Sequence, residues 1–117
     1  KQSETEEALS LIEKILSKNW DHELITIYGQ TPSSETAARL LTAEKWLKNH
    51  SNSSELLLCL GRLCLREKIL GKAEEYLKQA NTIQPTSQTL LALSELSELT
   101  GNQQQALGYL KDSLTIQ

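Results

Sequence analysis

The hexapeptide Ala73-Glu74-Glu75-Tyr76-Leu77-Lys78 has two near-copies in this chain, AEKWLK at Ala43–Lys48 and ALGYLK at Ala106–Lys111. Two of the copies belong to a longer repeat, in which leucine, tyrosine and isoleucine positions of residues 57–83 recur unchanged in residues 90–116. Repeats of roughly 30 to 34 residues with helical patterns are typical of helical solenoids, in which each unit buries its apolar face against the next. Such scaffolds usually bind other proteins, so the repeat constrains function as well as fold.

The composition is that of one small helical domain. The 117 residues are 38% hydrophobic and 23% charged, and only two prolines and five glycines interrupt them. The net charge of −3 argues against a nucleic-acid partner, because nucleic-acid-binding domains normally present a strongly basic face. The chain contains no methionine, even at its start, and we therefore interpret it as a fragment of a longer protein.

Apolar spacing and capping residues predict about seven helices. Ser3 and Glu6 form a candidate capping box for the first helix, Asp21 is a candidate N-cap of the second, and Gly29 is expected to end it. Pro85 is expected to close the fifth helix because it lacks a backbone N–H. The predicted ranges are 3–17, 21–28, about 32–48, 54–67, 71–83, 87–99 and 103 to near the end of the chain.

The repeat resembles the tetratricopeptide pattern W-x2-L-G-x2-Y…A-x3-F…A…P, with leucine for the tryptophan and cysteine for the tyrosine. The first matching unit contains Leu57, Leu60, Gly61, Cys64, Ala73, Leu77, Ala80 and Pro85. The next unit matches less closely, because serine replaces the glycine, and it contains Leu90, Leu93, Ser94, Ser97, Ala106 and Leu110.

This resemblance implies an all-α tetratricopeptide superhelix of antiparallel helical hairpins, since short loops force neighbouring helices to pack antiparallel. Within a single domain over residues 1–117, residues 1–18 would be the second helix of a truncated repeat and 20–50 a degenerate repeat. Residues 54–86 and 87–117 would be two full repeats, and Ala73 would lie where two helices nearly touch. The alternative is a plain helical bundle in which alanine and leucine recur by chance.

Further blocks resemble the C-terminal part of HemY-type proteins, which are tetratricopeptide proteins of the proteobacterial inner membrane. The blocks are WDHEL at Trp20–Leu24, AEKWLKNH at Ala43–His50 and LLLCLGRLCLR at Leu56–Arg66. The resemblance implies an inner-membrane location for the full-length protein, with this domain in the cytoplasm and membrane contact only through a missing N-terminal part. It also implies a link to a late stage of haem synthesis and protein partners among the haem-pathway enzymes, and it leaves the oligomeric state open.

No pattern in the sequence predicts catalysis, a cofactor or a metal site, so we predict a protein that is not an enzyme. Cys59 and Cys64 are five residues apart, about 140° from each other around a helix, and cannot pair without unwinding it. Cys64 takes a core position of the repeat and is expected to be buried. His22 and His50 lack a second ligand at metal spacing, and surface positions are the simpler interpretation of both.

In tetratricopeptide proteins the first helix of each hairpin lines a concave groove. Leu58 and Leu91 are expected to form an exposed apolar strip there, with arginines on one side and glutamates on the other. Such a strip favours docking of an amphipathic helix or an extended segment, although the charges could simply neutralise one another across adjacent helices. The resemblance places ten residues on this face: Glu55, Leu58, Arg62, Leu65, Arg66, Gln88, Leu91, Glu95, Glu98 and Leu99.

Two functions are compatible with these observations. The first is a non-catalytic scaffold that organises enzymes of the porphyrin pathway at the membrane. The alternative is a haem or porphyrin carrier that uses an apolar groove and a histidine.

Overall fold

Seven α-helices and no strand make up residues 3–116, the part of the chain that the computed structural model describes. The prediction of an all-α chain with about seven helices is confirmed over this range, while the predicted domain limits at Lys1 and Gln117 lie outside it. None of the seven helices combines the length and the apolar character that a membrane crossing requires. The helices are α1 (Glu4–Lys18), α2 (His22–Gln30), α3 (Thr36–Trp46), α4 (Ser54–Arg66), α5 (Leu70–Ile83), α6 (Ser87–Leu99) and α7 (Gln103–Thr115).

Side-chain caps fix the start of several helices. Asp21 accepts a hydrogen bond from the backbone N–H of Leu24 at 3.0 Å, which confirms its predicted role as the N-cap of α2. Ser3 caps α1 in the same way through the N–H of Glu6. The capping box predicted there is only half formed, because the Glu6 carboxylate instead accepts hydrogen bonds from Arg39 and from the loop before α3.

Two predicted helix boundaries are wrong. α2 continues past Gly29 and ends one residue later, because this glycine is needed for packing against α4 and not as a cap. α3 begins at Thr36, later than expected, because the preceding serines bond to α1: the Ser33 hydroxyl and the Ser34 N–H each donate to the Glu6 carboxylate at 2.9 Å.

The same turn joins α4 to α5 and α6 to α7. Lys68 and Gly101 have left-handed backbones, with φ of 59° and 82°. The N–H that follows each of them bonds back to a helical carbonyl, that of Cys64 at 2.9 Å in one turn and that of Ser97 at 2.8 Å in the other. A left-handed residue after a helix satisfies an otherwise unpaired carbonyl in this way. The equivalent residues lie 33 positions apart (68 and 101), so the local geometry follows the sequence repeat.

α4 is the central helix of the fold. Nine of its thirteen residues are buried, and it packs against α2, α3, α5 and α6. Three pairs of leucines shared by the two repeats are buried in both α4 and α6, and Ala73 of α5 is fully buried. These leucines are Leu57, Leu60 and Leu63 in α4 and Leu90, Leu93 and Leu96 in α6.

Two glycines allow neighbouring helices to approach α4 closely. A Cβ atom on Gly29 of α2 would lie only 2.9 Å from the Cα of Cys59 in α4. A Cβ atom on Gly61 of α4 would lie 2.5 Å from the Cγ of Leu77 in α5. Cys59 and Gly61 are two residues apart, about 200° around the helix. α2 and α5 therefore pack on nearly opposite sides of α4.

We predict that Gly29→Ala lowers the free energy of unfolding by about 1–3 kcal/mol, because the added methyl group meets the backbone of α4 and forces α2 outward. The measurement is urea unfolding followed by circular dichroism. Gly108→Ala in α7 is the matched control, since among residues 3–116 no other helix comes within 4 Å of its added Cβ. The control should gain about 0.5–1 kcal/mol from helix propensity, and equal effects of the two changes would contradict the close α2–α4 contact.

Candidate binding cleft between α2, α4 and α6

The α6 half of the predicted groove is exposed. Leu91, Glu95 and Leu99 follow one another at four-residue spacing and therefore lie on one face of α6. Leu91 is 47% exposed and Leu99 is 43% exposed. The remaining two predicted residues, Gln88 and Glu98, are exposed as well. This face of α6 thus offers apolar surface on both sides of a carboxylate.

The α4 half of the predicted groove differs from the expectation. Leu58 and Leu65 are buried, with only 6% and 4% of their surface exposed, so the prediction of an exposed Leu58 is wrong. The reason is that α4 is surrounded by α2, α3, α5 and α6. Of these, α2 contacts Glu55 near one end of α4, Cys59 in the middle and Arg66 near the other end. The apolar strip is therefore confined to α6, and the α4 half contributes charge at its rim.

The two halves meet in a cleft of about 220 Å³. Its lining residues come from three helices that are distant in sequence, and they are Gln30 of α2, Arg62, Leu65 and Arg66 of α4, and Glu95 of α6. Four of them belong to the predicted groove, whereas Gln30 was not predicted. No sequence signal marks Gln30, because its position depends on how α2 docks on α4.

Arg66 has a structural partner. Its Nη2 donates to the carbonyl of Gly29 at 2.7 Å and its Nη1 donates to the carbonyl of Thr31 at 3.4 Å. These carbonyls belong to the C-terminal end of α2, where the last groups of a helix lack intrahelical partners and carry partial negative charge. Arg66 therefore anchors the end of α2 to α4.

Arg62 lies in the same cleft without such a partner. Among residues 3–116 its guanidinium forms neither a hydrogen bond nor an ion pair. Burial lowers the pKa of Arg62 and also that of Arg66, and the nearby Glu95 carboxylate offsets this only in part. Arginine stays charged under these conditions, so the cleft holds a partly desolvated cation that no group in the described part of the chain neutralises directly.

A second charged cluster, which the sequence did not predict, holds α1 in place. Arg39 is only 6% exposed, and it donates to the Glu6 carboxylate and to the Glu13 carboxylate, each at 2.8 Å. The hydroxyl of the buried Tyr28 also donates to Glu13. Burial alone would lower the pKa of Arg39, but the two carboxylates outweigh it and raise this pKa. The bond from Arg39 is the main reason that the pKa of Glu6 is lowered.

One feature of the sequence could have indicated this cluster. The buried face of α3 comprises Thr36, Arg39, Leu40 and Ala43, so an arginine stands within an otherwise core-facing stripe. A buried arginine needs carboxylate partners, and α1 carries several glutamates in its first turns. We interpret the cluster as structural, because its charged groups form hydrogen bonds with one another.

His22 and His50, which are isolated in the sequence, line a common cleft. The imidazole of His50 stacks on the indole of Trp20, with centroids 3.6 Å apart and planes at 7°. Nδ1 of His22 lies 3.1 Å from Oε1 of Glu55. Trp20 also makes an edge contact with Trp46, at 5.9 Å between centroids. The rest of the cleft lining is polar and comes from residues 49 and 51–53.

The two cysteines are free and buried, which confirms the expectation for Cys64. Burial raises the pKa of Cys59 to about 12 and that of Cys64 to about 11. Both thiols therefore stay protonated near neutral pH and are poor nucleophiles. Across residues 3–116, no group of three His, Cys, Asp or Glu side chains is arranged to hold a metal ion.

We predict that Arg66→Gln lowers the free energy of unfolding by about 1–2 kcal/mol, because it removes charge-assisted hydrogen bonds to the end of α2. Arg62→Gln removes the same charge from the same cleft but no hydrogen bond, and should change stability by no more than about 0.5 kcal/mol. Urea unfolding of both variants measures the difference. Equal losses would show that Arg66 does not anchor α2.

The Glu6–Arg39 contact should make the free energy of unfolding depend on pH in the acidic range. The pKa of Glu6 is lowered in the folded chain from an ordinary value of 4.5. The ionised Glu6 carboxylate therefore contributes fully to the free energy of unfolding above about pH 4.5, and this contribution is lost as the pH falls through the lower pKa of the folded state. We predict that wild type loses stability below about pH 4.5 and that Arg39→Gln, which lacks this contribution, loses less over the same interval.

Urea unfolding at a series of pH values, from neutral down to about pH 3, tests the acid dependence. Lys78→Gln is the control, because it removes the exposed ion pair of Lys78 with Glu74 at 2.9 Å and leaves the α1 cluster intact. An Arg39→Gln variant with the full acid dependence of wild type would contradict the role assigned to the buried pair.

Comparison with known proteins assigns no family to the chain. No protein-family model matches the chain, and a search of curated proteins finds no match either.

Proposed function

We propose that this chain is a non-catalytic protein-interaction module of the tetratricopeptide type, in which the exposed face of α6 and the adjoining cleft receive a segment of a partner protein. The observation that carries the proposal is the pair of exposed leucines, Leu91 and Leu99, on either side of Glu95, which itself lines the cleft with Arg62 and Arg66. Exposed apolar side chains rimmed by charge are typical of docking surfaces for peptides and helices.

The tetratricopeptide assignment is supported by the local repetition of structure. The two turns closed by Lys68 and Gly101 are equivalent, and the motif alanines Ala73 and Ala106 are both buried. At the position of Gly61 the second repeat has Ser94, whose hydroxyl donates to the carbonyl of Ala106 in α7 at 2.8 Å. A small residue at this position thus allows the paired helices to approach each other closely in both units. On this assignment residues 54–86 and 87–117 are the two full repeats.

The difference between the repeats also favours a free docking face. Leu58 of α4 is only 6% exposed, whereas the equivalent Leu91 of α6 is 47% exposed. The apolar area left open by Leu91 and Leu99 costs free energy in water, at roughly 25 cal/mol per Å², and a partner segment would recover it.

The resemblance to HemY-type proteins extends the proposal to the identity of the partners. On this hypothesis the chain is the cytoplasmic part of an inner-membrane protein, and its docking face binds enzymes of a late stage of haem synthesis. The matching block Leu56–Arg66 includes Arg62, Leu65 and Arg66 of the cleft, so the most specific part of the resemblance coincides with the proposed site.

A capture experiment with a proteobacterial lysate tests the docking function. The immobilised wild-type chain should retain haem-pathway enzymes, identified by mass spectrometry, and the double variant Leu91→Ser with Leu99→Ser should lose them. Leu114→Ser is the control, because Leu114 is the most exposed leucine of α7, at 80%, and is remote in sequence from the cleft. Retention of the same proteins by all three chains would place the docking surface elsewhere. Capture of unrelated proteins that depends on Leu91 and Leu99 would support docking and contradict the haem-pathway assignment.

One observation favours the alternative function, a haem or porphyrin carrier. His22 and His50 line the same cleft, so two candidate axial ligands are brought together. The lining is otherwise polar apart from Trp20, His50 is stacked on that indole, and His22 is paired with Glu55. Haem sites are mostly apolar, so we rank the carrier second. A stoichiometric Soret shift with haem that His50→Ala abolishes would reverse this order.

A further inference from the structure

The cleft between α2, α4 and α6 carries an excess of positive charge. Arg62 and Arg66 supply two guanidinium groups, and among residues 3–116 Glu95 is the one carboxylate that lines the cleft with them. Neither arginine lies within ion-pair distance of Glu95 in the structure. The cleft therefore has one net positive charge, although the chain as a whole is acidic with a net charge of −3.

The two arginines differ in how many N–H donors remain available to bind a ligand. Arg66 directs two nitrogen atoms to the carbonyls of Gly29 and Thr31. It thereby shields the negative end of α2, which would otherwise repel an anion. Arg62 keeps all of its donors, and its planar fork of N–H groups matches the two oxygens of a carboxylate. Partial burial strengthens any ion pair formed there, because less water screens it.

We infer that this cleft is a binding site for a single carboxylate, supplied by an Asp or Glu side chain of the docked partner segment and held by the Arg62 guanidinium. The inference rests on the proposed docking function, because the carboxylate is assigned to the segment that also covers Leu91 and Leu99. One net positive charge matches a monoanion, whereas a phosphate dianion would leave the site negative and would lie close to Glu95. Gln30 supplies a neutral donor at the rim of the cleft.

The size and the surroundings of the cleft agree with this occupant. A volume of about 220 Å³ is small for a cofactor but sufficient for a carboxylate and its methylene groups. Leu65 lines one wall, and the exposed Leu91 and Leu99 lie above and below Glu95 on the adjoining helix. A partner with an acidic residue between apolar residues fits this order of charge and apolar surface.

The carboxylate site can be tested without knowledge of the partner. Sodium acetate is titrated into the ¹⁵N-labelled chain at constant ionic strength, with sodium chloride and inorganic phosphate as reference anions, and the side-chain Nε–H signals of the arginines are followed. Acetate should produce a saturable shift at Arg62, stronger than that of either reference anion. Arg62→Gln should weaken the apparent acetate affinity, seen at the Gln30 and Glu95 amides, at least about tenfold. Arg62→Lys, which keeps the charge without the planar fork, should fall between the two.

Three results would overturn the inference. Acetate shifts no larger than those of chloride would show that the cleft is no anion site. Tighter binding of phosphate than of acetate would assign the cleft to phosphate groups, including those of a phosphorylated partner. Equal acetate binding by wild type and Arg62→Gln would remove Arg62 from the site, and the near-wild-type stability expected of this variant makes that comparison direct.

Failure of this inference and failure of the docking function give different results. If the Leu91→Ser and Leu99→Ser changes abolish capture while Arg62→Gln leaves it unchanged, docking stands and the carboxylate site is refuted. If acetate binds at Arg62 as expected but no protein is captured in a manner that depends on the leucines, the carboxylate site stands and the docking function is refuted.

Discussion

The close contacts on both sides of α4 are the constraint on which the rest of the structure depends. Gly29 lets the backbone of α2 approach Cys59, and Gly61 lets the side chain of Leu77 reach the axis of α4 from the α5 side. Interiors packed to this density do not tolerate an added methyl group without movement of the neighbouring atoms. Because α2 is held so close, its carbonyl end reaches Arg66 and Gln30 lies in the same cleft as Arg62. The cleft is thus a consequence of how two helices pack.

Much of the fold was predictable because the relevant forces are local. Asp21 and Ser3 cap helices through neighbours three residues away, and the leucines at helical spacing mark the buried faces. These signals set the number of helices and most of their limits. The limits of α2 and α3 were less accurate, since they depend on tertiary contacts: Gly29 with Cys59, and the Ser33–Ser34 loop with Glu6.

The candidate site was predictable only in part, for a similar reason. The exposure of Leu91 and Leu99 follows from their place on α6, and the structure agrees with that expectation. The burial of Leu58 and the anchoring role of Arg66 do not follow from their place on α4, because both depend on how other helices pack around α4. The cluster of Arg39 with Glu6 and Glu13 was missed because each of these residues, taken alone, has the appearance of an ordinary surface charge.

The positions of the aromatic side chains around Trp20 determine which part of this protein tryptophan fluorescence reports on. Trp20 and Trp46 are the only tryptophans in the chain, and they touch each other, while Trp46 also meets Tyr28 at 5.3 Å between ring centroids. Tryptophan emission therefore reports on the α2–α3 side of the molecule and is silent about α6 and α7. Parts of a protein can open separately when their local stabilities differ. A melt followed by tryptophan emission alone could thus describe the α2–α3 side of the molecule while the helix that bears Leu91 and Leu99 had already opened.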